Sequence, residues 1–130
     1  MISRPIPTKH VVVAAYALCF ALGALSHAKD FLVYGWRPYE LAPLPIGVFW
    51  SSLILVDLAI ISVLLSNYQR VGVFLALSVM LADVSVNTYA TIVLELDFLV
   101  GPLVLQSIFL GFILGTIGYV FQMTMQNTSN

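Results

Sequence analysis

Four long apolar runs constrain this chain more than any other feature. Val11 to Ala28 holds 18 residues, Ile46 to Leu65 holds 20, Val71 to Leu94 holds 24 and Leu103 to Phe121 holds 19. A helix rises about 1.5 Å per residue and a bilayer's hydrocarbon is roughly 30 Å thick, so each run approaches or exceeds one crossing. The runs are continuous rather than alternating, which excludes the pattern of a membrane β-barrel. The sequence therefore predicts an all-α, antiparallel four-helix transmembrane bundle, with residues 1–130 forming one domain. The composition agrees: 8% of residues are charged, 61% are hydrophobic and the net charge is −1. A soluble domain carries about a quarter charged residues. So little charge also excludes a disordered chain and a nucleic-acid binder, because phosphates would go unneutralised. The single cysteine, Cys19, excludes an intrachain disulfide and a cysteine-rich metal centre.

The connections carry information of their own. Lys29 to Pro45 contains three of the six prolines together with Tyr34, Trp36 and Tyr39, a mixture suited to the headgroup layer. Ser66 to Arg70 is a short polar turn, which predicts that the second and third spans are antiparallel neighbours. Glu95 to Pro102 ends in Gly101-Pro102, and Pro102 suits a first helical turn. The tail from Gln122 to Asn130 is polar and is expected to fray. Arg4, Lys9 and Arg70 lie at one end of this layout and Lys29 and Arg37 at the other, three basic residues against two. The excess predicts that both termini are cytoplasmic. Ser26-His27-Ala28 after the first run also has the form of a signal-peptide cleavage site, but the run is longer than most such apolar regions. The sequon Asn127-Thr128-Ser129 falls on the predicted cytoplasmic side and is set aside.

Function is sought in the polar groups inside the spans. Asp57 and Asp83 lie near the middle of the second and third runs. A mid-membrane Asp costs about 2.5 to 3.5 kcal/mol, so the two cost roughly 5–7 kcal/mol unless neutralised, paired or hydrated. No Lys or Arg is expected at their depth. Trp50 lies seven residues before Asp57 on the same face, and Asn87 lies one turn from Asp83. His27 and Asp30 close the first span, Thr88, Tyr89 and Thr91 extend the third, and Gln106 and Ser107 lie in the fourth. These groups share the outer half. The inner half is apolar except for Tyr16, Ser62, Ser78, Thr116 and Tyr119. Such a layout predicts a ligand pocket open toward the outer side. The alternative is that the amides and hydroxyls only cross-link helices, at about 0.6 kcal/mol per contact. With two histidines expected at opposite ends, His27 reads as an interface residue rather than a metal ligand, and no metal or cofactor is expected. Gly111, Gly115 and Gly118 form a small-residue stripe that suits packing within the bundle or a homodimer. Nucleophile elbows, phosphate loops and zinc-protease motifs are absent.

Leu25-Ser26-His27 followed by Asp30, and Phe49-Trp50-Ser51-Ser52 followed by Asp57-Leu58, resemble segments of the EXPERA-domain family, the four-helix membrane proteins that include the emopamil-binding protein and the sigma-2 receptor. The long first loop with prolines and aromatics and the short second turn are also similar to that family. The resemblance implies that Asp30 and Asp57 act as paired acids holding a ligand's cationic amine. It also implies that Asp83 and Asn87 occupy the polar positions of the third helix. Asp83 departs from the pattern, which would place a histidine or an uncharged residue there. The expected function is binding of a sterol, another lipid or an amphiphilic amine in a membrane-embedded pocket. Its ligand-binding residues would be His27, Asp30, Trp50, Asp57, Asp83, Asn87 and Gln106. If a reaction occurs, Asp57 and Asp83 are the catalytic candidates, shuttling a proton during a double-bond shift. A proton-coupled small transporter and a structural subunit of a membrane complex are the alternatives from other classes.

Overall fold

The computed structural model describes residues 8–126, which leaves Arg4 and the sequon at residues 127–129 outside the described part. The chain is all-α: α1 (Thr8–Tyr34), α2 (Leu44–Leu64), α3 (Gln69–Ile92) and α4 (Val100–Gln126), with a single 3₁₀ turn, Asp97–Leu99, leading into α4. No strand occurs among the described residues. All four helices are long and apolar enough to cross a membrane.

The helices outrun the apolar stretches at several ends. α1 continues through Lys29 and Asp30 to Tyr34, where the expected boundary was Ala28. Two charges do not stop a helix; Gly35 does. Its φ of 82° is the left-handed conformation that favours glycine, and its N–H closes on the Phe31 carbonyl. α4 likewise runs on to Gln126 through residues expected to fray. α2 starts after Pro43 and carries Pro45 in its first turn, where a missing N–H costs nothing.

Packing follows narrow seams. In α2 the buried residues are Trp50, Leu53, Asp57, Ile60 and Leu64, alternating three and four apart. α3 repeats the spacing with Val73, Ala76, Met80, Asp83, Asn87 and Ala90. This is the stripe that helices present when they pack at shallow angles. Off the seam the surface is oily: Leu18, Leu25, Leu55 and Leu105 are all exposed. Water would reject such a surface, whereas lipid accepts it.

α1 packs most extensively on α2, and α4 on α3. One apolar core gathers Tyr16, Phe20, Ile60, Leu64, Val73, Met80, Ile113 and Val120 from all four helices. A smaller one holds Trp50, Leu53, Ala90 and Leu99. Where α2 turns into α3 the backbones nearly touch, since a β-carbon at Gly72 would lie 2.8 Å from the Leu64 nitrogen. The α4 stripe is different. Added β-carbons at Gly111, Gly115 and Gly118 would meet nothing within 4 Å, so the stripe does not serve packing within the bundle.

Candidate functional site

Four elements bring polar side chains together around Trp50. Its indole N–H donates to Asn87 Oδ1 at 2.7 Å. Indole is a donor only, so this bond fixes which way the Asn87 amide points. The Asn87 Nδ2 then faces two acceptors, Gln106 Oε1 at 2.7 Å and Asp83 Oδ1 at 3.3 Å. One amide thereby ties α2, α3 and α4 with its oxygen and nitrogen both engaged. Asn87 and Trp50 are buried, and an unpaired amide or indole there would be costly.

A second group sits at the end of α1. Tyr39, from the connection between α1 and α2, donates its hydroxyl hydrogen to Asp30 Oδ2 at 2.8 Å. The phenol has one hydrogen, and that bond uses it. His27 Nδ1, 2.8 Å from the same oxygen, must therefore carry a proton and donate to it. The Tyr39 ring meets Trp50 edge-on, with centroids 5.2 Å apart, and so joins the two groups. Burial first, and the adjoining Asp30 carboxylate second, raise the Tyr39 phenol well above its ordinary pKa. It stays a donor throughout the physiological range.

Asp57 stands apart. It occupies the core-facing seam of α2 and is 5% exposed. Among the described residues it has neither a hydrogen-bond nor an ion-pair partner. Asp83 is close enough for the two carboxylates to repel one another when both are charged. Space at Asp57 is made by Gly23 of α1, where a methyl group would lie 2.9 Å from Asp57 Oδ2.

All seven residues expected from sequence thus lie along one contiguous region. His27 and Asp30 reach it through Tyr39, while Trp50, Asp83, Asn87 and Gln106 form its centre and Asp57 its inner edge. The neighbouring hydroxyls do not join them. Thr88, Thr91 and Ser107 donate back to the carbonyls of Val84, Asn87 and Leu103 on their own helices. Tyr89 is exposed. A cleft of about 540 Å³ opens beside Tyr39, lined by residues including Trp36, Glu40, Gly47 and Ser51. Its lining includes neither Asp57 nor Asp83.

Sequence reasoning missed Tyr39 and Gly23 as members of the site. Tyr39 read as one aromatic of an interfacial loop, and nothing local says that the loop folds back over α2. Gly23 carried a usable signal: a glycine in the middle of an apolar span often marks a close approach.

The chain matches no family model, no curated protein and no solved structure.

Proposed function

We propose that this is a multi-pass membrane protein that binds a lipophilic small molecule through the polar region of its bundle, with Asp57 as the anchor. The observation that carries the reading is the division of labour among the buried polar groups. Asn87 is bonded to Trp50, Gln106 and, at a longer distance, Asp83, and Tyr39 is bonded to His27 and Asp30. Among the described residues, Asp57 is the one buried carboxyl without a partner. A carboxyl in that position has a strong preference for a cationic or hydrogen-donating ligand group. An amphiphilic amine answers that need most directly, and a sterol hydroxyl answers it more weakly. Trp50 and Tyr39 supply aromatic surface for an apolar body. The resemblance to EXPERA-domain proteins points to the same ligand classes.

The test is thermal unfolding of the purified chain in a neutral detergent, with N,N-dimethyldodecylamine or cholesterol added. The amine is expected to raise the wild-type midpoint by on the order of 5 °C at tenfold excess over Kd, and to leave Asp57→Asn unmoved. Asp57→Asn should unfold no earlier than wild type without ligand, since it breaks no bond and removes a buried charge. Equal shifts in both proteins, or none in either, would overturn the anchor role. Loss of proton-driven uptake in Asp57→Asn liposomes, without any ligand shift, would favour the transporter.

A further inference from the structure

We propose a second site, for a phosphate-bearing headgroup, at the end of the bundle opposite Tyr39. A cleft of about 540 Å³ lies where α1 begins, the α2–α3 turn passes and α4 ends; its polar lining is Lys9, His10, Ser66, Asn67, Gln69 and Thr124. Lys9 is 7% exposed and makes no ion pair or hydrogen bond with any described residue. Most of the Lys9 side chain is covered, and a lysine held in that way favours an anion beside it.

Among the described residues no acidic side chain relieves it. The six acidic residues stand at 30, 40, 57, 83, 95 and 97, none of them in the segments that form this end. Asp57 is the nearest along α2, and eight residues of helix separate it from Leu65, about 12 Å. Arg70 adds to the imbalance in the first turn of α3, where its Nε and Nη2 are buried and unpaired. Of the two, Lys9 lines the cleft itself, and a lysine so placed suits an anion that comes from outside the chain.

The remaining donors and acceptors narrow its chemistry. Ser66 and Thr124 spend their hydroxyl hydrogens on the Val63 and Val120 carbonyls and so shape the cleft, while Gln69 gives one amide hydrogen to the Leu64 carbonyl and keeps the other. The Lys9 ammonium supplies three N–H groups, and α3 begins at Gln69 with no side-chain cap. A compact, multiply accepting oxyanion suits that set, and phosphate is its common form. Val13 and Leu65 also line the cleft, giving it an apolar flank for the glycerol and first acyl carbons. A phospholipid headgroup therefore fits better than a free anion. This site does not depend on the reading of Asp57.

The full chain in neutral detergent would be titrated with dihexanoyl phosphatidic acid, dihexanoyl phosphatidylcholine and inorganic phosphate, following bound ligand by native mass spectrometry. Phosphatidic acid should bind at one site, and Lys9→Gln should weaken it by about fivefold or more, in line with roughly 1 kcal/mol per basic residue. Lys9→Arg should retain binding, which separates lost charge from a lost fold. Arg37→Gln, at the other end, should leave it unchanged. Binding of phosphatidic acid without inorganic phosphate assigns the site to lipid; equal binding of both assigns it to soluble phosphate. Equal affinity for phosphatidylcholine, or for Lys9→Gln and Lys9→Arg, overturns the proposal.

Discussion

The two ends of this bundle solve one problem in opposite ways. Around Tyr16 the helices meet through aliphatic and aromatic side chains, and the phenol ring packs edge-on against Phe109 and Phe112. The hydroxyl of Tyr16 reaches α4 at Thr116 and the Ile113 carbonyl, a single polar tie in an otherwise dry core. Around Tyr39 the same seams carry Trp50, Asp83 and Asn87, and the ties number several. Lipid gives helices no hydrophobic reason to associate, so either close packing or hydrogen bonds must hold them. The dry end uses packing and the polar end uses bonds. The difference teaches where a carboxyl can stay free for a ligand inside the bundle. A side chain needed for close packing cannot also face a ligand, whereas a polar seam can hold helices together and still leave one carboxyl, Asp57, uncommitted.

Three substitutions probe this contrast, in decreasing order of effect. Gly72→Ala strikes the dry end where α3 passes the Leu64 backbone, and a backbone cannot step aside as a side chain can. It is expected to destabilise by about 1–3 kcal/mol, the usual range for overpacking. Chemical unfolding in mixed micelles would measure it, and a neutral outcome would mean that the close approach is not what closes that end. Asn87→Leu strikes the polar end by removing three hydrogen bonds at once. Two of them run between helices, and at about 0.6 kcal/mol for each the expected loss is roughly 1.2 kcal/mol. Trp50 fluorescence, recorded with Trp36 replaced by Phe, should shift as the indole N–H loses its acceptor. A much smaller loss would show that packing holds both ends and that the polar seam is kept for another purpose. Tyr16→Phe removes only the lone tie of the dry end and should cost about 0.6–1 kcal/mol. A larger penalty would erase the distinction between the ends.

What could be read from the residues alone differs between fold and site for physical reasons. The helices were legible because continuous apolar length is a local property, and a bilayer converts it directly into a crossing. Their ends were less so: α1 passes Lys29 and Asp30 and stops at Gly35, because backbone conformation, not side-chain charge, ends a helix. The α4 glycine stripe was legible as a motif, but that it points out of the bundle was not, since a stripe says nothing of which neighbour it meets.

For the site, the sequence by itself determined which residues would be expensive in a membrane. Periodicity also placed Trp50 with Asp57 and Asp83 with Asn87 on common faces. Only the tertiary structure decided how those groups are shared out. It set the Asn87 amide between Trp50 and Gln106, brought Tyr39 back from its loop to His27 and Asp30, and left Asp57 against Gly23 without a partner. It also buried Lys9, a residue that the chain alone presents as an ordinary basic flank. Hydrogen bonds and ion pairs between helices depend on rotation and depth to within a few ångströms. No local pattern encodes that, so the cost of each polar group was visible in the sequence while its partner, or the absence of one, was not.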